Sequence, residues 1–204
     1  MNEHNGPWKE GRICALSLCY IDPAESQLGW VLPNHAGVGI RATLALSAGG
    51  DPPPVALERN WDLATLCVDE GVASTASEST PGVEQEASVR VVGAVPGTEP
   101  RSYMLTVRAG PALCPTRDGR HREELRAGPL HLSGTIPPPG VEGLLQACHA
   151  MLTGGQWIIW CVDRLLLEQL GPESHARLLA LLGTHHAAIW CAPVRDIAAW
   201  SRMG

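Results

Sequence analysis

Two carboxylates stand where apolar segments of this chain end. Asp22 follows the run Arg12 to Tyr20, which has no polar side, and Asp163 follows Trp157 to Val162. Carboxylates held in unlike surroundings can divide acid and base work between them. The plainer use is structural: Asp22 caps the turn before Pro23, and Asp163 pairs with Arg164 or Arg101. Glu70 and Glu78 would join them in holding a hard cation such as Ca²⁺ or Mg²⁺, but no ligand-spaced loop accompanies them. The histidines are dispersed. His121 lies in the charged stretch 120–124, and His185-His186 precede an apolar segment, where neighbours on a regular strand cannot face one metal. His131 and His149 suit packing or capping. The cysteines (Cys14, Cys19, Cys67, Cys114, Cys148, Cys161, Cys191) have no C-x-x-C spacing and sit mostly in apolar runs, as buried reduced thiols do. The chain contains no P-loop, dinucleotide fingerprint or Gly-x-Ser-x-Gly elbow.

The elements that must position these groups follow from hydrophobic spacing. Segments 12–20, 38–46 and 157–162 read as strands buried on both faces, and a short strand is expected at 188–191. Helices are expected at 25–37, shortened or kinked by Pro33 and Gly37, and at 56–68, 141–152 and 172–182. A last helix begins at Pro193, a favoured residue for a first turn. The middle, 69–140, is punctuated by Gly and Pro and offers strands at 88–95 and 101–108. Strands alternating with helices at both ends imply a parallel α/β sheet or barrel, with 88–95 and 101–108 less regular than the rest.

Composition narrows the function classes. With 204 residues, 45% hydrophobic and 18% charged, the chain can bury a core as one domain over 12–204, behind a polar extension at 1–11. A net charge of −6 and a single lysine leave little cationic surface for a phosphate backbone, so nucleic acid is not an expected partner. GC-rich coding accounts for the scarcity of Lys and the absence of Phe beside seven Trp. The start is polar, and no uninterrupted apolar run approaches the roughly 18 residues of a membrane span, so a cytoplasmic protein without membrane partners is expected. Trp157, Trp160 and Trp190 fall in apolar strands and suit core packing, while Trp30, Trp61 and Trp200 fall on expected helices.

Ala15 to Pro23, Gly39 to Leu44, Gly155 to Asp163 and Ile189 to Ala198, taken in order, resemble segments of the polysaccharide deacetylase family. Ala15-Leu16-Ser17-Leu18-Cys19-Tyr20-Ile21-Asp22-Pro23 is similar to the family's apolar strand ending in Ser/Thr-x-Tyr/Phe-Asp-Asp-Gly. Gly39-Ile40-Arg41-Ala42-Thr43-Leu44 is similar to its Gly-x-Ala-Thr-Phe-Phe strand. Gly155 to Asp163 resembles the strand that ends in a catalytic-site histidine, and Ile189 to Ala198 the closing Val-Trp-x-Ala-Pro-x-x-Glu-Ile-Ala segment. The resemblance spans most of 12–200 and is poor over 69–140.

What it implies is a distorted (β/α) barrel, partly degenerate in the middle third, with a divalent metal at the carboxyl ends of the strands and hydrolysis of acetyl groups on sugars. In the family the first aspartate is the base, the second binds metal, and a His-x-x-x-His stretch completes the ligand set. Here Ile21 stands at the base position and Asp22 at the metal-binding one. Thr75 and Ser79 stand where the imidazoles belong, and Asp163 replaces the late-strand histidine. Neutral hydroxyls are poor zinc ligands, so Asp22 is the one matched ligand and no metal or other cofactor is expected. Arg101 or Arg108 would stand for the family's arginine.

The resulting expectation is a catalytically degenerate deacetylase-like module that binds a glycan, a small molecule or a partner protein. Asp22 and Asp163 are its candidate catalytic positions, and Arg101, Glu78 and Trp30 its candidate binding residues. One alternative is a hydrolase with a site rebuilt around Asp22 and Asp163. The other is a structural subunit whose barrel mouth is closed by a homo-oligomeric interface.

Overall fold

The run Cys-Ala-Leu-Ser-Leu-Cys-Tyr-Ile lacks a polar side because both faces of the strand are covered. The computed structural model describes residues 7–47, 51–67, 89–95, 101–108, 130–135 and 155–203, with a few helical positions between 146 and 153. Strand β1 (Cys14–Ile21) is buried at every position. It pairs in parallel with β7 (Trp157–Asp163) along one edge. Its other edge is shared: the first half pairs with β8 (Ile189–Cys191) and the second half with β2 (Thr43–Ser47), both parallel. The expected parallel arrangement of the three principal apolar strands is therefore present.

Beyond β2 the sheet, eight-stranded among the described residues, continues through β3 (Asp62–Cys67), β4 (Val89–Val95), β5 (Arg101–Arg108) and β6 (Leu130–Thr135) to β7. Strand β4 is antiparallel to both its neighbours, whereas β5, β6 and β7 pair in parallel. The chain is thus mixed α/β with a largely parallel sheet.

Among the strands, two expectations change. Segment 56–68 is not one helix: α2 (Pro54–Glu58) stops, Asn60 turns through φ 54°, and Asp62–Cys67 is strand β3. A left-handed Asn breaks helix propagation, and the following apolar residues then alternate between the faces. Strand β6 was not anticipated, because Gly and Pro flank its short stretch 130–135.

Alternation along β1 divides the core. Leu16, Leu18 and Tyr20 face a layer formed by α1 (Glu25–Val38) and α3 (Arg164–Thr184). Ala15, Cys19 and Ile21 face α4 (Val194–Met203) and Trp8. Small residues on that second face (Ala15, Cys19, Ala45, Ala64) leave room for Ile197 and Ala198 of the helix. Trp8, read from sequence as part of a polar extension, is only 5% exposed and donates its indole N–H to Gly155 O at 2.9 Å. Helix α1 runs on through Pro33, whose position is exposed, so the carbonyl left without a helical partner at Gly29 can meet water. Helix α3 starts earlier than expected and is broken at Gly171 (φ 67°, ψ 166°).

Helix α4 is anchored by buried polar groups at the starts of β2 and β3. Thr43 Oγ1 accepts Val194 N–H at 2.9 Å and donates to Asp62 Oδ2 at 3.0 Å, and the same carboxylate oxygen accepts Arg195 N–H at 3.2 Å. Replacing Asp62 by Ala strands a hydroxyl and a helix N–H in a dry layer, and should cost about 3 kcal/mol of stability in urea unfolding. Asp196→Ala, which breaks a part-exposed pair with Arg41, should cost less than about 1 kcal/mol. Equal losses would refute the anchoring role of Asp62.

Candidate functional site

The carboxyl edge of the parallel strands brings Asp22 and Asp163 together. Ile21, the last residue of β1, is level with Asp163 at the end of β7, so Asp22 begins the next step on the neighbouring strand. In parallel α/β sheets this edge is where ligands bind, because the chain leaves each strand there in loops and helix N-termini. Asp22 adopts φ 42° and donates its N–H to Ala45 O at 2.8 Å, which carries the β1–β2 pairing past the strand end while the chain turns into α1.

Each carboxylate has a partner, though not the ones expected. Asp163 is the N-cap of α3, its Oδ1 accepting Leu166 N–H at 2.8 Å. Arg164 does not pair with Asp163. Its Nη2 lies 3.5 Å from Asp22 Oδ2 and 3.3 Å from Asp22 O. With side chains 56% and 45% exposed, this long contact is worth less than about 1 kcal/mol and can give way to a ligand. Gln27 stiffens the edge from beneath: its Oε1 accepts Ala24 N–H at 2.8 Å and its Nε2 donates to Arg164 O at 2.9 Å, joining the starts of α1 and α3. Leu165, 61% exposed, adds an apolar side chain beside Arg164. The edge therefore offers a carboxylate, a guanidinium and an alkyl surface. Ile21, at the position of the resembled base, is buried in the layer under α4 and takes no proton.

The other candidates are not gathered there. Trp30 sits between α1 and α3, its ring edge-on to His175 at 5.1 Å. Arg101 opens β5 at the opposite, amino edge of the sheet, and Arg108 closes the same strand on the carboxyl side. Glu78, Glu70, Thr75 and Ser79 lie outside the described residues. Among the described residues no group of three His, Cys, Asp or Glu side chains is placed to hold a metal. Cys14, Cys19 and Cys161 are buried. His185 and His186 are exposed on the turn before β8.

A buried polar cluster escaped the sequence reading. Tyr20 Oη lies 2.7 Å from Nε2 of both His35 and His175, each 1% exposed. Its proton order follows from chemistry. The Ile40 carbonyl, 2.9 Å from His35 Nδ1, can only accept, so Nδ1 carries the proton and Nε2 accepts from the tyrosine. The hydroxyl then accepts from His175 Nε2–H. His175 Nδ1 in turn accepts from the Asn34 amide at 3.2 Å, which also donates to Pro172 O at 3.1 Å. All three titratable groups are held neutral. Desolvation lowers His35 to about 3, aided by repulsion from His175 and opposed by the Ile40 bond. Burial alone lowers His175 to about 4, and burial raises Tyr20 well above its ordinary range. Polar residues at apolar-stripe positions were the available signal: His35 follows Val31 and Leu32 on the inner face of α1, and His175 precedes Leu178 and Leu179 on that of α3. The cluster is sealed from solvent, so it fastens β1 to both helices and does no chemistry on a substrate.

Comparison with protein-family models, curated proteins and solved structures finds no match to this chain.

Tyr20→Phe keeps the ring but leaves His35 Nε2 and His175 Nε2–H unpaired in a dry layer. It should lower unfolding stability by about 2–4 kcal/mol, measured in urea at pH 7.5. A loss under about 0.5 kcal/mol would show that the tie contributes nothing beyond ordinary surface changes.

Proposed function

We propose that the chain is a polysaccharide-deacetylase-like barrel without metal-dependent hydrolysis, whose carboxyl edge binds a carbohydrate or similar polyhydroxylated small molecule. The observation that carries this reading is the juxtaposition of Asp22 and Asp163 at the ends of adjacent parallel strands, with exposed Arg164 beside Asp22 and the base position filled by buried Ile21. Carboxylate and guanidinium groups side by side suit the paired hydroxyls of a sugar, which donate and accept at once.

Strand register supports the barrel part of the reading. Ile21 is level with Ala45, Ala45 with Ala64, Ala64 with Gly93, Gly93 with Tyr103, and Tyr103 with Leu130. Thr135 is level with Trp160 and Trp157 with Ala15, so the same course continues past Gly155 and meets β1 again near Ile13. A stagger of about eight residues in one circuit is what a closed, tilted barrel requires. The direct β1–β2 pairing supplies the closing contact.

Chemistry supports the loss of hydrolysis. A hydrolytic water needs a Lewis acid or a base to ionise it. Ile21 is neither, and one oxygen of Asp163 is committed to the start of α3.

Titration calorimetry and an acetate-release assay with N-acetylated chitooligosaccharides test the proposal. Binding that weakens at least about tenfold, roughly 1.4 kcal/mol, in Asp22→Asn, with acetate release at the buffer rate, is expected. Asp163→Asn should leave the melting temperature almost unchanged, because Asn caps a helix as well as Asp, whereas Asp163→Ala should cost about 1 kcal/mol. Turnover that disappears in Asp22→Asn would overturn the proposal in favour of a rebuilt hydrolase.

A further inference from the structure

We propose that Tyr20, His35 and His175 form an acid-sensitive latch that releases the second segment of α3, residues 172–184, from β1 and α1 while the parallel strands stay folded. This goes beyond the binding proposal and does not depend on it. Three observations carry it: the saturated proton order of the cluster, the elements it joins, and the hinge beside it.

The cluster holds its hydrogens in one consistent order, from Asn34 through His175 and Tyr20 to His35 and the Ile40 carbonyl. It has no acceptor for one more proton. Protonating His35 at Nε2 turns an acceptor into a donor, so the tyrosine hydrogen loses its partner. Protonating His175 at Nδ1 sets an N–H against the Asn34 amide, and turning that amide round to accept it gives up the bond to Pro172 O. The first event leaves like groups opposed in a layer that water does not enter, and the second opposes them at half-buried Asn34 or gives up that residue's bond to Pro172 O, so both are costly.

The cluster joins three elements and draws on a fourth. Tyr20 comes from β1, Asn34 and His35 from α1, and His175 from α3, while Trp61, ahead of β3, stacks on Tyr20 and meets His35 edge-on at 4.8 Å. The titratable groups facing one another here are Tyr20, His35 and His175, with the Cys19 thiol adjoining on β1. On α3, Glu173 and Arg177 are exposed, as is Glu58 at the end of α2. No ion pair between one of these charged groups and the two imidazoles is present among the described residues, so no neighbouring carboxylate stabilises an imidazolium.

The hinge is Gly171. Its φ of 67° and ψ of 166° lie where glycine alone is at ease, and they divide α3 into Arg164–Leu170 and the segment that begins with Pro172. Pro172 has no N–H to lose when the break widens. Residues 164–170 retain the Asp163 cap and the Gln27 tie, so the carboxyl edge keeps its arrangement when the latch opens. Because both imidazoles titrate lower folded than free, the latch is fully closed above pH 6.5. It weakens as pH falls from there toward about 4 for His175 and about 3 for His35. Opening gains up to about tenfold per histidine for each pH unit in that window.

Hydrogen exchange of the whole chain, followed by mass spectrometry from pH 7.5 to 5 and corrected for intrinsic rates, tests the latch. Protection over 172–184 should fall at least about tenfold by pH 5 while 14–21 and 157–163 hold theirs. In His175→Gln, which does not titrate, the acid-induced part of that loss should shrink by about tenfold or more. Wild-type protection that is unchanged to pH 5, or lost in helix and strands together, would overturn the proposal whether or not the variant folds. So would an undiminished acid response in a folded His175→Gln protein.

Discussion

Strand β1 has protein on both faces and both edges, and that enclosure governs the rest of the molecule. Buried polar groups on such a strand must be satisfied internally, since water cannot reach them. The two exceptions to its apolar character obey this rule on opposite faces. Ser17 accepts the Trp157 indole N–H at 3.2 Å, and Tyr20 is held between two imidazoles. Each polar group therefore fixes a neighbour: Ser17 aligns β7, and Tyr20 aligns α1 and α3. Where β1 finally leaves the sheet, at Asp22, its next side chain meets solvent and the candidate binding edge begins.

Small and large residues then determine which helix lies where. The alanine and cysteine positions under α4 admit a helix close to the sheet, while Leu16, Leu18 and Tyr20 support the thicker layer of α1 and α3. Anchoring differs in the same way. Helix α4 is fixed by its N-terminus on Thr43 and Asp62, whereas α3 is fixed at Asp163 and again at His175, with a glycine break between. Two fixings on one broken helix make its halves mechanically separable.

Much of the fold was legible because long apolar runs without a polar side have few alternatives. Segments 12–20 and 157–162 read as strands buried on both faces, and the structure has them as Cys14–Ile21 and Trp157–Asp163, with Asp22 just past the first end and Asp163 closing the second. The Asp62–Cys67 strand was misread because a short apolar run fits helix and strand spacing alike, and the deciding residue was Asn60 in a left-handed turn. The partners at the edge were misassigned for a related reason. The sequence offers Arg164 or Arg101 as the partner of Asp163, but the first turn of α3 carries Arg164 across to Asp22 and leaves Asp163 to cap the helix. The Tyr20 cluster was hidden because its members come from three elements, and a lone histidine on an apolar helix face does not show which group it meets.

The carboxyl edge beside Asp22 and Asp163 is proposed to receive a polyhydroxylated ligand without a metal. A crystal structure of the protein soaked with an N-acetylated chitooligosaccharide tests it most directly. Sugar hydroxyls within hydrogen-bond reach of the Asp22 carboxylate and the Arg164 guanidinium are expected, with the acetyl group intact. A metal ion bound at Asp22 with a cleaved sugar, or sugar bound only at a site remote from this edge, would contradict it.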